Sequence, residues 1–270
     1  MKRKSQGRPP LPIFLCISII SAAVGGILFG ANQGALDLHW SEMAYYWAQA
    51  PERQTLIGFL DWYSESLGGQ LPNILLIGGS FAFWSFCLFK GYREQLTPAW
   101  HRYRKKAELI VLASLLIAIL GPLLKGAVAR ERPRYHRENV DYTPWYDCVT
   151  RNRERPFKRG SFPSGHTLQA SMVFGLVYWV GRNGVPIKSK AMLLKLGIAF
   201  MTFLYVAVMG FSRIVLAKHW LADVFFSCII GYWIISFSAW VVFTKLDCQE
   251  PLFAFAGQWI RGKIRPNEEA

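Results

Sequence analysis

Two histidines, one aspartate and a set of cations fall at spacings that suit chemistry on an anion. Lys125 and Arg132 come first, Pro163-Ser164-Gly165-His166 follow as a block, and Ser212-Arg213 precede His219 and Asp223. His219 and Asp223 are i and i+4, a spacing that on a helix brings imidazole and carboxylate to one face. The carboxylate can accept the proton of one ring nitrogen and leave the other unprotonated and nucleophilic. Ser164 and Gly165 at a helix start would offer free backbone N–H groups to an anion, and glycine lets a phosphate approach the main chain closely. Arg132 and Arg213 supply planar forks for phosphate oxygens, and Lys125 a point charge. One histidine to attack and one, His166, to protonate the leaving oxygen would complete a two-step hydrolysis.

Each of these residues also has a plainer reading. A histidine at a helix end is more often structural than catalytic, and an i,i+4 His-Asp pair can be only a cap. Arginine or lysine at the end of an apolar run usually snorkels, and Ser-Gly-His after proline is often just a helix start. A metal is the rival use of two histidines and an aspartate, but three cations crowd the same place and no HExxH or acidic cluster accompanies them, so no metal or other cofactor is expected. The agreement of position described next separates the catalytic reading from the plain ones.

The elements that must carry these residues are apolar and long. Of the 270 residues 52% are hydrophobic and 15% aromatic, and the formal net charge is +14, which excludes a disordered tail, a collagen or a small disulfide scaffold. The apolar residues gather into runs near the roughly 20 residues that a bilayer core requires. Six are marked: Leu11 to Ala31, Leu71 to Phe89, Leu109 to Ala129, Pro163 to Val180, Ala191 to Phe211 and Trp220 to Thr244. The fold class expected is therefore all-α, a polytopic membrane protein built as a six-helix transmembrane bundle with short interfacial helices. One domain spans 1–270, with the chemical residues inside 125–223. Lys2, Arg3, Lys4 and Arg8 before the first run could open a signal peptide, but the run is long for one. Five cysteines at scattered positions suggest neither a disulfide framework nor a CxxC site.

Basic residues orient the bundle. Eighteen of the 31 lysines and arginines lie in the segments on the N-terminal side, so both termini are predicted to be cytoplasmic. The other side holds 13, concentrated between Lys125 and Arg159, against the usual trend. A sequence that tolerates that conflict needs cations there for something anionic, or for lipid headgroups, and the run Arg151 to Arg159 alone does not decide between them. On this topology the chemical residues all fall on one face: Lys125 and Arg132 close the third run, Pro163 to His166 open the fourth, Ser212-Arg213 close the fifth, and His219 with Asp223 open the sixth. Charges at one face favour surface chemistry over transport, whose sites usually lie near the midplane. The outer segment 32–70 carries Leu36, Trp40, Met43, Trp47, Leu56, Phe59, Leu60 and Tyr63 at helical spacing and is expected to form interfacial helices. The tail 245–270 reads as a cytoplasmic anchor. The partners expected are the bilayer and a lipid phosphate, with no nucleic acid; apolar composition gives no oligomeric state.

The three blocks resemble the signature of the type 2 phosphatidic acid phosphatase superfamily, K-x6-R-P, P-S-G-H and S-R-x5-H-x3-D. They stand here as Lys125-GAVARE-Arg132-Pro133, Pro163-Ser164-Gly165-His166 and Ser212-Arg213-IVLAK-His219-WLA-Asp223, in order and without departure. The resemblance implies a metal-independent phosphatase of the membrane lipid branch. His219 would attack phosphorus to form a phosphohistidine, Asp223 would support it and His166 would protonate the leaving group. Lys125, Arg132, Ser164, Gly165 and Arg213 would hold the phosphate. Naming His219 rather than His166 as nucleophile leans on the family as well as on the Asp partner. The expected enzyme hydrolyses phosphatidic acid, phosphatidylglycerol phosphate, an isoprenyl diphosphate or lipid A at the periplasmic face of a bacterial inner membrane. The alternatives are a lipid phosphotransferase using the same site and, from another class, a transporter or binding protein for a phosphorylated lipid.

Overall fold

The computed structural model describes residues 11–67, 71–93, 97–136, 142, 144, 160–178 and 190–245. Among these, every regular element is helical, and the nearest approach to a sheet is one antiparallel bridge between Glu131 and Gly160. The run Arg151 to Arg159 and the tail beyond Lys245 lie outside the described residues.

The first apolar run is α1 (Leu11–Gly30), which turns through a 3-10 segment, Ala31–Gly34, into α2 (Ala35–Ala48). Gly34 makes the turn at φ +82°, where a Cβ would strike the Tyr142 ring and where a side chain would be strained in any case. The two helices meet at 81°. A short 3-10 turn leads into α3 (Gln54–Trp62), which continues as a π-helical turn, Tyr63–Leu67. Then come α4 (Leu71–Arg93) and α5 (Pro98–Val128), the latter opened by Pro98 at a position where its missing N–H costs nothing. At 1.5 Å per residue α5 is about 46 Å long, more than a hydrocarbon core needs. Its early turns carry a buried ionic cluster in which Arg104 and Lys105 meet Glu108 at 3.3 and 3.1 Å.

After a helical turn α6 (Pro133–His136), the described chain resumes at Gly160 and enters α7 (Gly165–Ala170), followed by a 3-10 stretch, Ser171–Tyr178. The Ser171 hydroxyl donates to the Leu168 carbonyl at 2.6 Å, competing for the acceptor that a continuing α-helix would use. Last are α8 (Lys190–Val215) and α9 (Leu221–Trp240), which ends in a π-helical turn, Val241–Lys245. Asp223 accepts the Trp220 N–H at 3.0 Å and so fixes where α9 begins.

By length and composition four described stretches can cross a bilayer: Pro51–Lys90, Ala99–Val128, Leu193–Val215 and Leu221–Phe243. The bent pair Ser18–Gly30 and Ala35–Ala48 makes a fifth if it counts as one. The expected run Pro163 to Val180 has no counterpart among them, because its described part is the short α7 and its 3-10 continuation. The outer segment is helical as expected, and Trp40, Met43, Leu56 and Phe59 are exposed on it. Ile19, Ile27, Leu123, Leu193, Phe200 and Met201 are also exposed, an apolar surface that fits lipid rather than water.

The core joins α5, α7 and α9. Leu109, Ile110, Ala113 and Ile117 pack with Leu168, Met172, Ile234, Ile235 and Ala239. Gly231 of α9 lets the 3-10 stretch come close: a Cβ there would collide with the Ser171 side chain. A second cluster, Ala48, Leu60 and Val215, ties α2, α3 and α8 together. The C-terminal ends of α5 and α8 and the N-terminal ends of α7 and α9 thereby meet.

Candidate active site

That meeting of helix ends surrounds a cavity of about 880 Å³. Of the eight sequence-predicted site residues, Lys125, Arg132, Gly165, His166, Arg213 and His219 line it. Asp223 and Ser164 are fully buried and lie behind that wall.

His219 sits in the tight link between α8 and α9, its backbone N–H donating to the Arg213 carbonyl at 3.1 Å. Its Nδ1 lies 2.7 Å from the Ser161 carbonyl and 3.9 Å from Asp223 Oδ2. A carbonyl only accepts, so Nδ1 carries the proton and Nε2 keeps its lone pair. The direct hydrogen bond to Asp223 expected from the i,i+4 spacing is thus replaced by one to Ser161. The spacing missed this because Asp223 is spent on capping α9 and on two further partners. Its Oδ2 accepts from the Ser161 hydroxyl as well as from Trp220 N–H, and its Oδ1 accepts from Arg130 Nη1 at 2.8 Å. Asp223 and His219 thus share Ser161, whose hydroxyl donates to the carboxylate and whose carbonyl accepts from the ring. Burial pushes the His219 imidazole below its ordinary value; Asp223 opposes this, and the charges of Arg213 and Arg132 add to it. The ring is neutral near pH 7.

Behind this pair lies an ionic network that sequence reasoning missed. Arg130 is wholly buried and bridges two carboxylates, Asp223 and Asp37, donating to Asp37 Oδ2 from Nη2 at 2.6 Å. Asp37, also wholly buried, accepts the Ala222 N–H at 2.8 Å at the start of α9. Burial works against the Arg130 charge, but Asp223 and Asp37 hold it above the ordinary arginine range. The guanidinium stacks near Trp220, 5.1 Å from the ring centroid. The chain reaches Arg130 through Ala129, whose left-handed φ of 50° closes α5. The partners are 93 residues from Arg130 in either direction, and no local spacing could have announced them.

On the opposite wall, Arg213 donates from Nη1 to the Ser64 hydroxyl at 2.9 Å and from both Nη atoms to Glu65 Oε1 at 3.0 Å. Lys218 donates to the same oxygen at 2.7 Å and to Asp61 at 2.7 Å. His166 Nε2 is 3.6 Å from Glu65 Oε2 and has no hydrogen-bond partner among the described residues. Gly165 opens onto space, since a Cβ there would meet nothing within 4 Å. Ser164 turns inward instead: its N–H donates to Ser227 at 2.8 Å and its hydroxyl pairs with Thr167 at 2.9 Å. Its hydroxyl and N–H are thus used in setting the start of α7. From α4, Asn73, Ile74, Ile77 and Gly78 complete the cavity and give it one largely apolar side. No group of His, Cys, Asp and Glu suited to a metal ion occurs among the described residues.

A neutral imidazole with a fixed free nitrogen, a second imidazole and a ring of cations can transfer a phosphoryl group. A family model described as the PAP2 superfamily matches residues 107–247, which contain all eight of these residues. Among solved structures, the chain is similar to the first transmembrane PAP2 type phosphatidylglycerolphosphate phosphatase from Bacillus subtilis. The two are 20% identical over 88% of this chain and 97% of that one, with a TM-score of 0.51. At that identity the likeness is one of fold.

Proposed function

The chain belongs to the PAP2 superfamily as an integral membrane member, and from that premise we propose that it removes phosphate from a lipid phosphate or diphosphate at the non-cytoplasmic face of the membrane. The observation that carries the reading is the hydrogen bond of 2.7 Å from His219 Nδ1 to the Ser161 carbonyl. It leaves Nε2 unprotonated and available as a nucleophile in a cavity walled by Lys125, Arg132 and Arg213.

In the first step Nε2 of His219 attacks phosphorus and the bond from phosphorus to the lipid oxygen breaks. Lys125, Arg132, Arg213 and the backbone at Gly165 hold the phosphoryl oxygens as their charge grows. The negative charge of the incoming phosphate favours protonated His166, which gives its proton to the leaving oxygen. Asp223, through Ser161, stabilises the positive charge that develops on His219. In the second step neutral His166 takes a proton from water, the water oxygen attacks phosphorus, and the N–P bond breaks. Inorganic phosphate leaves and His219 returns to its neutral form. An acceptor hydroxyl in place of water would make the enzyme a phosphotransferase.

The apolar wall of α4, with Ile74 exposed at its edge, supports an amphiphilic substrate whose chain stays in the bilayer. The basic run Arg151 to Arg159 suits a headgroup with further negative charge. The side opposite the basic segments that orient both termini to the cytoplasm is the periplasmic side of a bacterial inner membrane, and on this reading the mouth of the cavity lies there.

The experiment is phosphate release by detergent-purified protein from phosphatidic acid, phosphatidylglycerol phosphate, an isoprenyl diphosphate and lipid A, with chelator present and His219→Ala alongside. Release that resists chelator and vanishes in the variant is expected, and the preferred lipid names the substrate. No release from any lipid by folded protein overturns the phosphatase reading in favour of a transferase or a binding or transport protein.

A further inference from the structure

Three groups of the cavity face one carboxylate. Glu65, on the π-helical turn after α3, accepts on Oε1 from both Nη atoms of Arg213 at 3.0 Å and from Lys218 at 2.7 Å. Its Oε2 lies 3.6 Å from His166 Nε2, which has no hydrogen-bond partner among the described residues. The carboxylate thus stands between two cations and the histidine assigned to the leaving oxygen, where a phosphate would have to stand. Single-turn π-helical segments frequently mark functional sites.

Two neighbours on that turn are held differently. Ser64 is fully buried, and its hydroxyl accepts from Arg213 Nη1 at 2.9 Å while donating to the Asp61 carbonyl at 3.1 Å. Glu65 is 43% exposed and reaches Arg213 from the mouth of the cavity. The carboxylate can therefore swing toward water while Ser64 keeps the guanidinium in place. Arg213 also has a donor to spare, since its Nε is buried without a hydrogen-bond partner among the described residues. A phosphate has oxygens for that donor as well as for the Nη pair, so it can replace what the carboxylate gives up.

Resting on the phosphatase reading above, we propose that Glu65 is a resident ligand of the phosphate site, an autoinhibitory carboxylate that every entering anion must displace and that returns to Arg213 and Lys218 as the product phosphate leaves. Displacement costs each anion alike, so the carboxylate selects none of them. What it sets is how tightly any phosphate is held. With the carboxylate gone the two cations are bare, and inorganic phosphate binds them more strongly and leaves more slowly. With it in place they are neutralised again at the end of each turnover, at the step that limits many enzymes.

The test is isothermal titration of the detergent-purified full chain with inorganic phosphate at constant ionic strength, with and without acetate. Wild type is compared with Glu65→Gln, with Glu65→Ala, and with Asp61→Asn, which removes an equal charge paired with Lys218. Glu65 is partly exposed, so the lower end of the range for a charge-assisted hydrogen bond applies, and phosphate Kd is expected to fall about tenfold in both Glu65 variants. In Asp61→Asn it is expected to stay within about twofold, because Glu65 still covers Lys218 and Arg213. Acetate supplies the missing carboxylate to the space left in Glu65→Ala, and there it is expected to compete with phosphate and raise its apparent Kd at least about threefold, while leaving wild type nearly unchanged. A phosphate Kd that does not fall in the Glu65 variants, an equal fall in Asp61→Asn, no competition by acetate in Glu65→Ala, or no phosphate binding by any of the four chains overturns the proposal. Lipid phosphate release is measured on the same preparations. Release without the expected binding changes defeats this proposal alone, and the binding changes without release defeat the phosphatase reading alone.

Discussion

Replacing Arg130 by lysine preserves its charge and removes its shape. The guanidinium reaches Asp223 from Nη1 at 2.8 Å and Asp37 from Nη2 at 2.6 Å, and all three side chains are completely shielded. A lysine ammonium is one point on a flexible stem and cannot span both carboxylates with that fixed fork. At least one charge-assisted hydrogen bond is lost, costing about 1.5–3 kcal/mol. For a chain of this size that lowers the unfolding midpoint by roughly 3–12 °C. Arg130→Met leaves two buried carboxylates without their cation and costs about 3–5 kcal/mol or more. The midpoint, read by tryptophan fluorescence of detergent-purified protein, should therefore fall in the order wild type, lysine variant, methionine variant. In the lysine variant kcat should drop with KM nearly constant, because Arg130 sets Asp223 and does not line the cavity. A methionine variant that melts with wild type, or a lysine variant that changes KM alone, would refute the network as the support of Asp223.

Two further outcomes follow from the same geometry. Ser161→Ala removes the hydroxyl from Asp223 but keeps the carbonyl on His219. At about 1.5–3 kcal/mol for a bond to a charged group, kcat should fall roughly 10–100-fold and the acid limb of the pH profile should move to lower pH as the imidazolium loses support; a loss of binding instead of kcat would count against the relay. As for pH itself, protonation of His219 consumes the nucleophile, so kcat/KM falls as pH drops through its value, which lies below the ordinary 6.5. Arg132→Gln takes away a positive charge, favours the imidazolium and should move that limb to higher pH; a shift to lower pH would show that another group governs it.

What was legible in the sequence was whatever depends on local order. The apolar runs announced helices because each must satisfy its backbone internally in lipid, and α1, α4, α5, α8 and α9 stand close to them. The three signature blocks placed six of eight residues around one cavity because each block sits at a helix end. What local order could not carry was partnership across the chain. Asp37, Glu65, Arg130 and Ser161 look like ordinary loop and helix residues, and only the fold brings Asp37 and Arg130 together over 93 positions. His219 and Asp223 show the same limit at short range. Their i,i+4 spacing is real, but the cap of α9 claims the carboxylate and gives the imidazole to Ser161. The run Pro163 to Val180 read as one apolar span, whereas Ser171, bonding back to Leu168, accompanies a change from α to 3-10 geometry that hydropathy does not register.

The central claim is a covalent bond between His219 and phosphorus. Its most direct measurement is an alkaline quench of the enzyme during turnover of a lipid carrying labelled phosphate, followed by peptide mapping. The account predicts label on His219, absent from His219→Ala and building up in a His166→Ala variant if that variant is slow to release phosphate. Label on His166, or steady phosphate release by His219→Ala, would contradict it.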